Sequence, residues 1–188
     1  LNSIGAKVTG AGTDEIAIEG VKDLQGSNFT IPADRIEAGT YLIAAAITYG
    51  NVTIKNIDSN RMNNITDHLK LSGATISIKE NEISLDMKKS SLTPVDISTA
   101  PFPGFPTDMQ AQYTVLNSLS PGSSVVSENV FENRFMHVQE LNRMGCDIDV
   151  KGSNAFIRGV NKLTGAPVMA TDLRASASLI LAGLCAEG

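Results

Sequence analysis

Four charged residues stand where chemistry could be done: Asp108, Arg134, Asp172 and Arg174. Asp108 follows Pro103-Gly104-Phe105-Pro106-Thr107 and precedes an uncharged run, Met109 to Leu119. A carboxylate in such a turn, before a helix apolar enough to be buried, can be aimed into a cleft and take a proton there. It can equally be an ordinary helix cap. Asp34, before Ile36-Glu37-Ala38-Gly39, occupies a comparable place and needs no other explanation. Asp172 reads as a cap in the same way. Arg134, after Asn133, reads as the start of another helix. With Arg174 it offers forked donors that match carboxylate and phosphate oxygens. The plain alternative is two solvated arginines. That alternative suits Arg174 poorly, because it heads an otherwise almost uncharged helix.

Other residue types point away from chemistry. His68 and His137 lack the partner spacing of a metal site, and His137 is expected to be structural. Cys146 and Cys185 are too few for a disulfide scaffold. Cys146 fills a small-residue slot and Cys185 lies on an apolar helix, so both read as packing. Gly10-Ala11-Gly12 lacks the strand-to-helix setting of a phosphate loop and reads as a turn. With 15 basic and 20 acidic residues, a net charge of −5 and no basic block, the chain is not built for a nucleic-acid backbone. Its longest apolar run, near Tyr41 to Ile47, is too short to cross a bilayer. No secretory leader is expected. Hydrophobic residues make up 42% but aromatics only 5%, so the core must rest on Ile, Leu, Val and Ala.

The elements that position these residues come from an internal repeat. Leu1 and Gly5, Leu69 and Gly73, and Leu141 and Gly145 each set a Leu four residues before a Gly. A small residue (Ala6, Ala74, Cys146) and an alternating apolar stretch follow. Each copy reads as a helix end with a left-handed glycine cap, then a strand. The period of about 70 residues is a whole supersecondary unit. Asp34, Asp108 and Asp172 recur in the same phase, each before a helix rich in small and apolar residues. The expected order is helix 34–49, strand 51–57, helix 60–71 and a hairpin of 75–79 with 82–87. It repeats as strand 95–99, helix 107–119, strand 123–128, helix 133–144 and hairpin 147–158. A third unit has begun by Asp172. A chain that opens on Leu1 and breaks off within a repeat is expected to be a piece of a longer protein.

Three segments carry a family resemblance: Pro103-Gly104-Phe105-Pro106-Thr107-Asp108-Met109-Gln110-Ala111-Gln112, then Glu128 to His137, then Ala170 to Leu179. In this order they resemble the enolpyruvyl transferase family, in its bacterial cell-wall branch. The shikimate-pathway branch fits the Phe105–Gln110 and Glu132–Phe135 segments less well. The resemblance spans nearly the whole chain, including Gly10–Thr13 and Asp34–Thr40. It implies an α+β fold of repeated helix-strand-helix-strand-strand units, with buried helices inside and sheets outside. Residues 1–31 would be the tail of one domain and 32–188 most of a second. The implied reaction moves the enolpyruvyl group of phosphoenolpyruvate to the 3-hydroxyl of UDP-N-acetylglucosamine and releases phosphate. It takes place in the bacterial cytoplasm, in the cleft between domains, with no cofactor, metal, membrane or nucleic acid. Such an addition and elimination needs a base at the hydroxyl, an acid for the methylene carbon and cations around phosphate and carboxylate. By resemblance Asp108 binds the sugar hydroxyl and is the base. Arg134 and Arg174 line the phosphoenolpyruvate side, and Asp172 is a second carboxylate holding a cation or sharing proton transfer. Val130 meets the sugar nucleotide through its backbone. The family's Lys-Asn pair, its loop with the general acid and a further Arg lie outside these residues. The rest of the parent chain is thus the implied partner, and this stretch alone is expected to be inactive.

Overall fold

A computed structural model describes residues 1–13 and 15–188. They form two compact units, Leu1–Pro32 and Ala33–Gly188. In the first unit a 3-10 turn, Asn2–Ile4, ends at Gly5 with φ 93°. The strands β1 (Lys7–Thr9) and β2 (Ala17–Glu19) then pair antiparallel, Val8 opposite Ile18. Gly10 and Gly12, both at positive φ, make the turn between them.

The second unit uses one order of elements twice. Helix α1 (Arg35–Ile47) leads to β3 (Asn51–Lys55), α2 (Asn63–Leu71) and the hairpin β4 (Thr75–Lys79) and β5 (Glu82–Asp86). After a short β6 (Ile97–Ser98), α3 (Gln110–Ser118) leads to β7 (Ser123–Ser127), α4 (Met136–Arg143) and the hairpin β8 (Asp147–Lys151) and β9 (Asn154–Arg158). The two sheets run β3-β5-β4 and β6-β7-β9-β8. In each, the closing hairpin strand lies in the middle, antiparallel to both neighbours over five residue pairs. A third start follows: β10 (Leu163–Thr164), α5 (Leu173–Cys185) and β11 (Ala186–Glu187). β10 and β11 pair in parallel around α5, as β6 and β7 pair around α3. The fold is α+β. Among the described residues no helix is long and apolar enough to cross a membrane.

The chemistry of α3 explains its central place. All nine of its residues are buried, and it packs against both α1 and α5. Its polar side chains are largely satisfied within the interior, as burial demands. Thr114 and Ser118 donate to the carbonyls one turn back, Tyr113 donates to the Ile65 carbonyl at 3.1 Å, and Asn117 pairs with both backbone groups of Val95. The outer helices α2 and α4 bury one stripe each, Ile65, Thr66 and Leu69 on one and His137, Val138 and Leu141 on the other.

Several boundaries differ from expectation, each for a local reason. α1 stops at Ile47 because Tyr49 turns to φ 53°. The first turns of the second and third expected helices are 3-10, Ser59–Met62 and Thr107–Met109. The strand expected over 95–99 shrinks to two residues, since the Asn117 side chain takes the bonds Val95 would give a neighbour. β5 and β7 end one residue short, at Asp86 and Ser127. α4 begins at Met136, not at Asn133, whose φ of 56° is left-handed. Arg134 therefore sits on a loop, not at a helix start.

Two packing details aim the Asp108 turn. Gly39 on α1 leaves room for Met109: a Cβ there would meet the Met109 methyl carbon at 2.9 Å. Phe105, 3% exposed, is locked edge-on between His68 and Tyr113 at ring separations of 4.8 and 5.1 Å. It anchors the proline-rich turn just ahead of Asp108.

Candidate functional site

The three repeated aspartates do not do the same thing. Asp34 Oδ1 accepts the backbone N–H groups of Ile36 and Glu37 at 2.7 and 3.4 Å. Asp172 Oδ1 accepts those of Arg174 and Ala175 at 2.7 and 3.0 Å. Both are helix caps. Asp108 lies inside the 3-10 turn and caps nothing. Its Oδ1 accepts Arg134 Nη2 at 2.8 Å and Arg174 Nε and Nη2 at 2.9 and 2.8 Å. Its Oδ2 accepts no hydrogen bond from the described residues. Asp108 is thus held by one oxygen while the other stays open.

Arg134 and Arg174 reach this carboxylate from distant places. Arg134 comes from the loop before α4, its side chain 18% exposed, and Arg174 from the first turn of α5, 38% exposed. Arg134 also donates through Nη1 to the Thr107 hydroxyl at 2.6 Å, and its guanidinium stacks on the Phe131 ring at 4.6 Å. A guanidinium has five N–H groups, so both arginines keep donors free for an anion. Two guanidiniums share this one carboxylate, with the Asp172 carboxyl close enough to Arg134 to feel its charge.

Two hollows meet this cluster. Asp108 and Arg174 line one of about 450 Å³ between α1 and α5, with Thr40 and Gln112 at its wall. Arg134 and Val130 line another of about 530 Å³, floored by Gly152 and Ser153. The Arg134–Asp108 ion pair joins their walls. The Val130 N–H is already given to Glu128 at 2.9 Å, so of its two backbone groups the carbonyl is the one left to meet a ligand.

Asp172 stands beside the cluster and forms no ion pair among the described residues. The Ala175 N–H, with help from the Arg174 N–H and the charges of His137 and Arg134, holds its carboxyl below the ordinary 3.8. His137 is buried, its Nε2 without a partner among the described residues. Burial pushes its pKa down from 6.5 to about 4, against the pull of Asp172 and with that of Arg134. Unfolded, this imidazole binds a proton near pH 6.5, folded only near 4, so the stability from neutral His137 is full above 6.5 and lost as pH falls through that window. The Asp172 contribution is lost only at lower pH, below 3.8. Chemical denaturation at pH 7 and pH 5 is expected to differ by on the order of 2 kcal/mol from this histidine, and His137→Gln to remove that share. An unchanged pH slope in the variant would assign it to another group.

Sequence reasoning missed Glu128 and Thr107 as parts of this site. Glu128 is 3% exposed and accepts the Thr107 hydroxyl at 2.8 Å. Both residues lie inside the recognised segments, but a buried Glu some twenty residues from its partner leaves no local pattern. The cysteines behave as packing. Burial pushes the Cys146 thiol up to about 11 and raises that of Cys185, which suits neither to nucleophilic work. Among the described residues no three His, Cys, Asp or Glu side chains are grouped to hold a metal ion.

Comparisons with known proteins place this geometry. The profile of the EPSP synthase (3-phosphoshikimate 1-carboxyvinyltransferase) family matches residues 1–188. The chain is 56% identical over all 188 residues to a Coxiella burnetii protein named UDP-N-acetylglucosamine 1-carboxyvinyltransferase. It is 55% identical to one of that name from Hydrogenovibrio crunogenus. It spans 43% and 45% of their lengths. In fold it matches the enolpyruvyl transferase NikO from Streptomyces tendae (TM-score 0.76, 24% identity), over 97% of this chain and 44% of that one. EPSP synthase from Acinetobacter baumannii gives a TM-score of 0.66 at 20% identity, over 100% of this chain and 47% of that one. With every residue covered by the family profile, the chain belongs to the EPSP synthase family, whose name describes a 3-phosphoshikimate 1-carboxyvinyltransferase.

Proposed function

We propose that these residues are part of a UDP-N-acetylglucosamine 1-carboxyvinyltransferase, with 1–31 the tail of its first domain and 32–188 most of its second. The whole enzyme transfers the enolpyruvyl group of phosphoenolpyruvate to the sugar 3-hydroxyl. This commits the sugar nucleotide to peptidoglycan, and so serves cell shape and division. Two unpaired thiols fit a reducing cytoplasm. The observation that carries the reading is Asp108, pinned through one oxygen by two arginines and open at the other.

In this reading Asp108 Oδ2 accepts the hydroxyl proton as the sugar oxygen bonds to C2 of phosphoenolpyruvate, while an acid from the rest of the chain protonates C3. Elimination then breaks the C2–O bond to phosphate, and a proton leaves C3. Arg134 and Arg174 turn their spare donors to the carboxylate and phosphate of the reactant, where charge shifts during the reaction. The Val130 carbonyl meets the sugar nucleotide. Asp172, held ionised by its cap bonds, keeps α5 and hence Arg174 in place and adds negative charge beside Arg134.

The test is phosphate release by the full-length protein given phosphoenolpyruvate with UDP-N-acetylglucosamine, or with shikimate 3-phosphate. Turnover with the first acceptor alone is expected. Turnover with shikimate 3-phosphate alone would move the protein to the other branch of the family, and none with either would refute the reading.

A further inference from the structure

We propose that Glu128 is a positioning residue: its buried carboxylate fixes the direction of the Thr107 hydroxyl and, through it, the pose of Arg134 toward the anionic reactant. The proposal rests on the enolpyruvyl-transfer reading above.

Glu128 has no cation in direct contact among the described residues. Four donors converge on it instead. Oε1 accepts the Thr99 hydroxyl at 2.9 Å and the N–H groups of Val130 and Phe131 at 2.9 and 3.1 Å, and Oε2 accepts the Thr107 hydroxyl at 2.8 Å. Both carboxyl oxygens therefore act as acceptors, and a buried polar group is tolerable when it is satisfied in this way.

The direction of these bonds matters for Arg134. A hydroxyl has one proton. Thr107 gives it to Glu128, so a lone pair faces Arg134 Nη1 at 2.6 Å. Nη2 is fixed on Asp108 at 2.8 Å. Two anchored corners set the plane of a rigid guanidinium, and the Phe131 ring backs it at 4.6 Å. The Phe131 N–H is itself tied to Glu128. Glu128 therefore controls two of the three supports of Arg134 without touching it.

A glutamine at 128 keeps the volume but replaces one acceptor with an NH2 group. Wherever that group points, a donor meets a donor, either at the loop N–H groups or at Thr107. In the second case the Thr107 proton is driven toward Arg134 and the guanidinium is displaced.

The experiment uses the full-length enzyme with Glu128→Gln, Thr107→Val, Thr107→Ser and the Gln/Val double variant, each phosphate-release rate being referred to folded protein. Glu128→Gln and Thr107→Val are each expected to lower kcat/KM for phosphoenolpyruvate about tenfold to a hundredfold, the scale of one misdirected hydrogen bond to a charged group. Thr107→Ser, which keeps the hydroxyl, should stay near wild type. The double variant should lose less than the sum of the two single losses, because both changes act through the Thr107 hydroxyl and only the Phe131 tie is Glu128's own. A lower melting temperature with unchanged kcat/KM would make Glu128 a structural residue only, and fully additive losses would break the link through Thr107. Should Glu128→Gln not fold, the Val and Ser pair decides: equal kinetics in those two overturn the proposal. An inactive wild type would refute the functional reading, whereas an active wild type matched by Glu128→Gln would refute the role of Glu128 alone.

Discussion

Replacing Asp108 by asparagine in the full-length protein is expected to lower kcat by about a hundredfold to ten-thousandfold, the range a positioned general base supplies. Asparagine keeps the outline of the side chain, and its carbonyl oxygen can still accept from Arg134 and Arg174. At the place of Oδ2 it then presents an NH2 group, which cannot take a proton and opposes the hydroxyl donor it must meet. The loss should therefore fall on kcat, with KM for phosphoenolpyruvate changed much less, since the arginines keep their spare donors. Alanine is the harsher and less informative change: it leaves two guanidiniums facing each other around an empty place and adds their repulsion to the lost base. Phosphate-release kinetics on Asp108→Asn, with a melting curve to show that it folds, settle the matter. A kcat within about threefold of wild type would remove Asp108 from the chemistry and leave it a structural counter-charge.

A large effect on stability is expected at one of the repeated glycines. Gly5, Gly73 and Gly145 close their helical turns at φ 93°, 99° and 94°, so a side chain at any of them costs roughly 1–2 kcal/mol for the left-handed backbone. Their surroundings differ. Among the described residues a Cβ at Gly5 meets nothing within 4 Å and one at Gly145 only the Thr164 nitrogen at 4.0 Å, but one at Gly73 meets the Ser91 carbonyl oxygen at 2.2 Å. The Ser91 segment cannot simply retreat, because the Thr93 N–H is bonded to the Ser72 carbonyl at 3.1 Å and Leu92 between them is buried. Gly73→Ala is expected to cost roughly 3–5 kcal/mol, on the order of a 10 °C fall in Tm for a chain of this size, and Gly145→Ala well under half of that. Parallel thermal melts of the two variants test this, and equal losses would show that the left-handed backbone is the whole cost and the contact with Ser91 none of it.

These residues also show where local sequence information ends. The three capping glycines, the two hairpins of the second unit and the caps at Asp34 and Asp172 were all legible, because each depends on a few neighbouring residues. The matching sheet orders were implied by the repeat. The extent of β6 and the start of α4 were not legible. One is cut short by a side chain twenty-two residues away, the other by a left-handed Asn133 in a sequence that reads as helical. The same limit hid the difference among the three aspartates. Asp108 is in phase with two caps, and no local feature says that it is not a third.

From the sequence alone came the repeat, the α+β class, the buried central helices and the identity of the charged residues worth watching. The repeat and the buried helices follow from side-chain periodicity and backbone preference, which act over one or two turns of chain; the α+β class and the weight given to the charged residues came with the family resemblance. Only the tertiary structure decided what the charges do. It carried Arg134 across 26 residues and Arg174 across 66 to a single oxygen of Asp108, set a buried Glu128 behind them, and made Asp172 the cap of α5. Ion pairs and hydrogen bonds depend on distances of about 3 Å, and separation along the chain does not encode such distances until the helices have packed.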